Sequence, residues 1–241
     1  MYNKIALISD LHLDSWSGDL EIRAYFLIDL LTRCRDHEPD LIVIAGDVFN
    51  GSHGKQFTLS SGNPPIVVVT GNHDLYGRDA PEYPDFIVNE QLVLTTLWTG
   101  FHKSLYPRNT VFRNIADGYY IAGMTADKMV ELFNLSWEQI KKENKEIVIT
   151  HFPPFQESIA PQYRNDPLNS YFINDMQKMF EEADLQTKLW LCGHTHHRHS
   201  YYMGDTLVAC NPCGYRGENY QNFSDYQPMI LYKEGELWIQ Q

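Results

Sequence analysis

Short apolar, β-branched runs recur along the chain, and several are separated by stretches whose apolar residues fall at three- and four-residue steps. That alternation marks strands joined by crossover helices. Residues 4–8 read as a first strand, 41–45 as a second buried one and 66–70 as a third, built from four β-branched aliphatics and a Thr. Between the first two, Asp19 is placed to cap a helix with apolar positions Leu20, Ala24, Leu27, Leu30 and Leu31, ending near Pro39. The pattern predicts further strands over 91–98, 119–124, 146–150 and 188–192. It also predicts a strand-rich tail from 201 onward, with a hairpin turn at Lys233-Glu234-Gly235-Glu236. Thr125 and Ser136 both look like caps, Ser136 pairing with Gln139 as a capping box, so 126–144 is expected as one broken helix or two short ones. Residues 170–183 read as a helix, and Gly, Ser, Asn and Pro make 49–65 and 76–84 loops.

No repeat, low-complexity tract or linker interrupts this pattern, so the expectation is a single α/β domain over 1–241 with enough chain to bury a core. Hydrophobic residues at 43% against 21% charged exclude a disordered chain. A net charge of −12 repels polyanions, so no strong nucleic-acid surface is expected. No run approaches the ~20 apolar residues of a membrane helix. The apolar run before Asp10 is too short for a secretory leader. The expected setting is therefore cytoplasmic, with no membrane partner. Four cysteines are too few for a disulfide scaffold. Cys210 and Cys213 form a C-x-x-C, but no second such pair completes a four-thiolate site, and these thiols read as structural or incidental.

Chemistry concentrates where predicted strands end: Asp10-Leu11-His12, Gly46-Asp47, Gly71-Asn72-His73-Asp74, His151 and Gly193-His194-Thr195-His196. In an open α/β sheet the carboxyl ends of the strands form the ligand crevice, so five strands would deliver their side chains to one place. Asp10 with His12, and His194 with His196, are two apart and in extended chain would face a common site. Taken singly, Asp10 and Asp47 fit turn or cap roles, and His151 fits a core histidine. Together, Asp10, His12, Asp47, Asn72, His151, His194 and His196 supply carboxylate, imidazole and amide donors without thiolate. Such a set suits intermediate divalent metals such as Mn, Fe, Co, Ni or Zn, among which geometry must pick.

In order, these blocks match D-x-H, G-D-x-x-[DN], G-N-H-[DE], a later His and G-H-x-H, and the chain resembles the calcineurin-like metallophosphoesterases. The resemblance implies two mixed β-sheets packed as a sandwich flanked by helices. It also implies two divalent metal ions, one held by Asp10, His12, Asp47 and His196, the other by Asp47, Asn72, His151 and His194. Hydrolysis would proceed by a hydroxide bridging the cations, with no Ser or Cys nucleophile. By the same resemblance His73 protonates the leaving oxygen. Where many relatives carry an Asp to pair with that histidine, this chain has Asn50, an amide that orients the ring but cannot favour imidazolium as a carboxylate does. Asp74 reads as a hydrogen-bond partner behind the ligands. His197, Arg198 and His199 either bind a substrate phosphate or face solvent, and Arg216 and His53 are candidates to return towards the cleft. Trp98, Phe101, Tyr119 and Tyr120 are either nucleobase stackers or core residues.

The expected substrate is a small phosphorylated molecule or a nucleotide, as phosphodiester or phosphomonoester. A DNA or RNA nuclease is the alternative, and a noncatalytic scaffold of the same fold stands third. Asn50-Gly51-Ser52 replaces the Asp-Arg-Gly of protein Ser/Thr phosphatases, and His73 replaces the Arg typical of the lipid-precursor pyrophosphatases.

Overall fold

The computed structural model describes residues 1–51 and 63–241. Its strands are Lys4–Ile8 (β1), Leu41–Ile44 (β2), Ile66–Val68 (β3), Arg78–Asp79 (β4), Ile87–Val88 (β5), Leu92–Thr95 (β6), Ile121–Ala122 (β7), Ile147–Thr150 (β8), Leu189–Cys192 (β9), His199–Met203 (β10), Thr206–Cys210 (β11), Met229–Glu234 (β12) and Leu237–Gln240 (β13). Helices span Leu13–Trp16 (α1), Leu20–Arg35 (α2), Arg108–Phe112 (α3), Asp117–Tyr120 (α4), Ala126–Glu143 (α5), Asn169–Phe172 (α6) and Gln177–Ala183 (α7).

Two mixed sheets carry the fold. One runs β13-β12-β1-β2-β3 and the other β10-β11-β9-β8-β6-β5, while β4 and β7 form a separate short pair. β1, β2 and β3 are mutually parallel, as are β6, β8, β9 and β11. The strands are apolar at nearly every position because both faces are covered, and successive residues divide between two cores. Ile5, Leu7, Leu41 and Val43 meet Leu92, Leu94, Ile147, Ile149, Leu189 and Leu191 between the sheets. Ala6, Ile8, Ile42 and Ile44 face outward onto α1 and α2. Val93, Val148, Trp190 and Cys192 face outward on the other side, beneath α5. This is the sandwich the resemblance implies.

Several local expectations change. The helix after Asp19 is capped as expected, Asp19 Oδ1 accepting from the backbone N–H of Glu21 and Ile22. However, Leu20 and Ala24 lie outside its buried stripe, which runs through Leu27, Leu30, Leu31 and Cys34. α5 is one unbroken helix from its Thr125 cap. Ser136 is no cap: it is buried mid-helix and its hydroxyl meets that of Thr95, so packing on β6 outweighs the local capping signal. Residues 119–124 form a helical turn followed by the two-residue β7, and Tyr119 and Tyr120 are exposed. The helix expected over 170–183 splits into α6 and α7. The break at 173–176 is fixed by the buried Asn174, whose amide donates to Trp98 O and accepts from Gly100 N–H. Strand 91–98 shortens to β6, and Trp98 and Phe101 are buried core. The hairpin at Lys233–Glu236 is present, with Gly235 in the left-handed region. His53 lies outside the described residues.

Candidate metal centre

β1, β2, β3, β8 and β9 all end at the same edge of the sandwich, and the turns leaving them carry the seven candidate ligands. Alternation along an extended strand is not what aims them. Asp10, His12, Asp47, His194 and His196 have φ of 49°, 39°, 54°, 71° and 48°, so each reaches the crevice from a left-handed turn. Non-glycine residues adopt this conformation at a cost of order 1–3 kcal/mol, and it persists where the surroundings over-determine it, typically at functional sites.

The turns interlock. Asp10 N–H donates to Gly46 O, His12 N–H to Asp47 O, and His194 N–H to Asp10 Oδ1. Asp74 holds the Asp47 and Asn72 turns together. Its buried carboxylate accepts from the N–H of Asp47 (2.9 Å), Val48 (2.9 Å) and Gly71 (2.8 Å). Two glycines are required by close approach: a Cβ on Gly46, itself at φ +92°, would lie 2.3 Å from His151 Nδ1, and one on Gly71 would lie 2.1 Å from Asp47 Oδ1.

Donor atoms gather into overlapping groups around Asp47, one of them His12, Asp47 and His73. Asp10, His12 and His196 lie together on one side and Asp47, His151 and His194 on the other, the ligand atoms of each group within 4.8 Å of one another. His12 Nε2 is 2.9 Å from His196 Nε2 and 3.7 Å from Asp47 Oδ2, and His151 Nε2 is 3.4 Å from the same Oδ2 and 3.0 Å from Asn72 Oδ1. Asp10 Oδ2 and His194 Nε2 are buried polar atoms with no hydrogen-bond partner. Orphaned acceptors and facing imidazole nitrogens in a buried, carboxylate-rich nest are costly unless cations fill it, so this donor set fits two divalent ions.

Outer partners fix the ligand edges. His151 Nδ1–H donates to Ala45 O (2.8 Å) and His196 Nδ1–H to Glu218 Oε2 (2.7 Å), which leaves each Nε2 facing inward. Asn72 donates Nδ2–H to Asp117 Oδ1 (2.9 Å) and Tyr171 Oη (3.3 Å), turning its carbonyl oxygen to the centre. Burial pushes the pKa of His12 and His194 well below the usual imidazole range, which favours the neutral form that binds metal. Burial opposes charge on His151 too, but the Asp47 carboxylate overrides it and lifts the group to about 10. Burial also opposes ionisation of Asp47, yet charge on His151 and His73 holds it well below the usual carboxylate range.

Beside this nest opens a cleft of about 500 Å³ lined by Asp47, His73, Tyr76, Tyr163, Tyr171, Phe172, His194, His196, Tyr215 and Glu218, among others. His73 stands at its edge, Nδ1–H donating to Asn50 Oδ1 (2.8 Å) and Nε2 accepting from Tyr215 Oη (3.2 Å). Asn50 therefore reaches the His73 ring. His197 and Arg216 do not line the cleft, and Arg216 is exposed. The residues that do return from 211–218 are Tyr215 and Glu218. Sequence reasoning missed both, together with Asp117 of α4 and Tyr171 of α6, because single polar residues on separate elements carry no spacing signal.

The sequence profile of the calcineurin-like phosphoesterase family matches residues 3–198. Among solved structures, the chain is similar to a phosphopantetheinyl hydrolase from Mycobacterium tuberculosis, with a TM-score of 0.56 and 12% identity over 91% of this chain and 94% of that one. It is also similar to a dimetal phosphatase from Danio rerio, with a TM-score of 0.51 and 12% identity over 97% and 93% of the two chains. At such identity these structures share the fold.

Proposed function

The chain belongs to the calcineurin-like phosphoesterase family, and on that premise we propose that it is a two-metal hydrolase of small phosphodiesters or phosphomonoesters. The observation that carries this reading is the pair of donor groups meeting at Asp47 with Asp10 Oδ2 and His194 Nε2 left unpartnered. Asp10, His12, Asp47 and His196 would hold one cation, and Asp47, Asn72, His151 and His194 the other. Two such cations, when bound, supply Lewis acidity toward phosphoryl oxygens and a water of near-neutral pKa.

The remaining chemistry falls to the chain. Asp47, pinned by Asp74 and by the His73 N–H on its Oδ1 (2.9 Å), keeps the two donor groups in register. Asn50 holds His73 Nδ1 and so leaves Nε2 facing the cleft; only with Nε2 also protonated would the ring donate a proton there to the departing oxygen. A cleft of about 500 Å³ lined by tyrosines and Phe172, with Asp166 and Glu218 and no Lys or Arg among its described lining, suits a small ester carrying an aromatic or apolar group better than a polyanion. The net charge of −12 points the same way.

The test is hydrolysis of bis-p-nitrophenyl phosphate, p-nitrophenyl phosphate and single-stranded DNA with Mn, Co or Ni. Turnover of a small ester that disappears in Asp47→Asn supports the proposal. Preferential cleavage of DNA would favour the nuclease reading, and inertness toward all three would defeat the enzyme reading.

A further inference from the structure

Outside the centre at Asp47, a second donor cluster crosses the outer face of the six-stranded sheet. Cys210 of β11 pairs with Cys192 of β9 in parallel register and with His199 of β10 in antiparallel register. Directly paired residues project from the same face, so the three side chains form a row across adjacent strands. That face is the helix-covered one, since Cys192 and Cys210 pack with Trp190 and Val208. Cys213 packs instead against the core beneath α2, so the C-x-x-C of the sequence is not a pair in space; the partner of Cys210 is Cys192.

We propose that Cys192, His199 and Cys210 form a third metal site, selective for one thiophilic cation of the zinc type. Their ligand atoms all lie within 4.8 Å of one another, and Cys192 Sγ is 4.0 Å from His199 Nε2. With Zn–S near 2.3 Å and Zn–N near 2.0–2.1 Å, tetrahedral donors stand about 3.5–3.8 Å apart, so closing the row around an ion takes movements of about 1 Å or less. The imidazole is already prepared: Nδ1–H donates to His197 O at 2.8 Å, which leaves the Nε2 lone pair toward the sulfurs, and Tyr201 stacks on the ring with centroids 5.4 Å apart. Binding replaces two S–H bonds with two S–metal bonds and releases both protons to solvent. Two thiolates cancel the charge of a divalent ion, so the loaded cluster is neutral and tolerates burial. The half-buried His199 edge gives access, and solvent takes the fourth position.

The site brackets the turn that carries His194 and His196, with Cys192 just before it and His199 just after. An ion there ties the ends of that turn together and braces two candidate ligands of the main centre without touching them.

Cobalt titration of the reduced chain tests this, because thiolate-to-cobalt charge-transfer absorption in the near ultraviolet reports sulfur ligands and is silent for an oxygen- and nitrogen-ligated centre. The wild type, Asp47→Asn and Cys213→Ser should all show the band, while Cys192→Ser and Cys210→Ser should lack it, with circular dichroism checking each fold. Should those two fail to fold, His199→Ala reads the same property and should weaken cobalt binding roughly tenfold or more. Absence of the band in reduced wild-type protein, its survival in both cysteine variants, or a Cys192–Cys210 disulfide formed in preference to metal uptake would overturn the proposal. Survival of the site in Asp47→Asn keeps this outcome separate from that of the phosphoesterase assay.

Discussion

Asp74→Asn removes one negative charge and replaces one acceptor oxygen with an NH2 group, at a carboxylate that accepts three backbone N–H bonds. Oδ2 serves Asp47 and Gly71, and Oδ1 serves Val48. The asparagine can keep its single oxygen toward the first two donors, and its NH2 then meets the Val48 N–H donor to donor. Hydrogen bonds to charged groups contribute about 1.5–3 kcal/mol and neutral ones about 0.5–1.5, so the two retained bonds each weaken by about 1 kcal/mol. The buried Val48 N–H left without an acceptor costs about 1–3 kcal/mol more. The expected total is about 3–5 kcal/mol, and for a chain of this size each kcal/mol lowers Tm by about 2–4 °C. Thermal unfolding of the manganese-loaded protein should therefore fall by roughly 6 °C or more. Because Asp74 positions the Asp47 turn, Mn affinity should drop by roughly 10–100-fold. A Tm within about 2 °C of wild type together with unchanged Mn affinity would refute the view that this carboxylate clamps the two turns.

Glu218→Gln keeps an oxygen for His196 Nδ1–H but loses the charge, so Mn affinity measured by calorimetry should weaken by roughly tenfold with little change in fold; equal affinity would remove Glu218 from the centre. Glu146 joins the two sheets, its Oε1 accepting from Trp238 Nε1 (3.1 Å) and Lys233 Nζ (2.7 Å). Burial opposes its ionisation, but the hydrogen bonds from Lys233 and Trp238 prevail and hold its pKa below the ordinary glutamate value of 4.5. A depressed folded-state pKa contributes stability that is present above about pH 4.5 and is lost as pH falls through the folded pKa. Glu146→Gln should therefore cost about 0.5–1 kcal/mol at pH 7 and show a shallower loss of Tm on acidification. Parallel acid limbs for the two proteins would contradict the linkage.

The seven candidate ligands were legible because they sit just after apolar strands, where both the pattern and the residue chemistry are local. The reason they converge was legible only in part. Extended-chain alternation brings Asp10 and His12 together on paper, whereas the fold uses left-handed turns locked by Asp74 and by glycines at 46 and 71. Ser136 shows the opposite failure: a sound local cap signal loses to burial against Thr95. Tyr215, Glu218, Asp117 and Tyr171 were invisible for a different reason. Each reaches a ligand or His73 through a contact across 22 to 142 positions of sequence, a separation that no local pattern encodes. The Cys192–Cys210 pairing is likewise a matter of strand register, while the sequence offered only the nearer Cys213.

The proposed hydrolysis depends on a pair of cations sharing Asp47. Anomalous diffraction from manganese-loaded crystals tests it most directly. Two peaks about 3.5–4 Å apart are expected, one beside Asp10, His12 and His196 and the other beside Asn72, His151 and His194, with the Asp47 carboxylate between them. A single peak, or peaks that leave Asp47 unliganded, would contradict it.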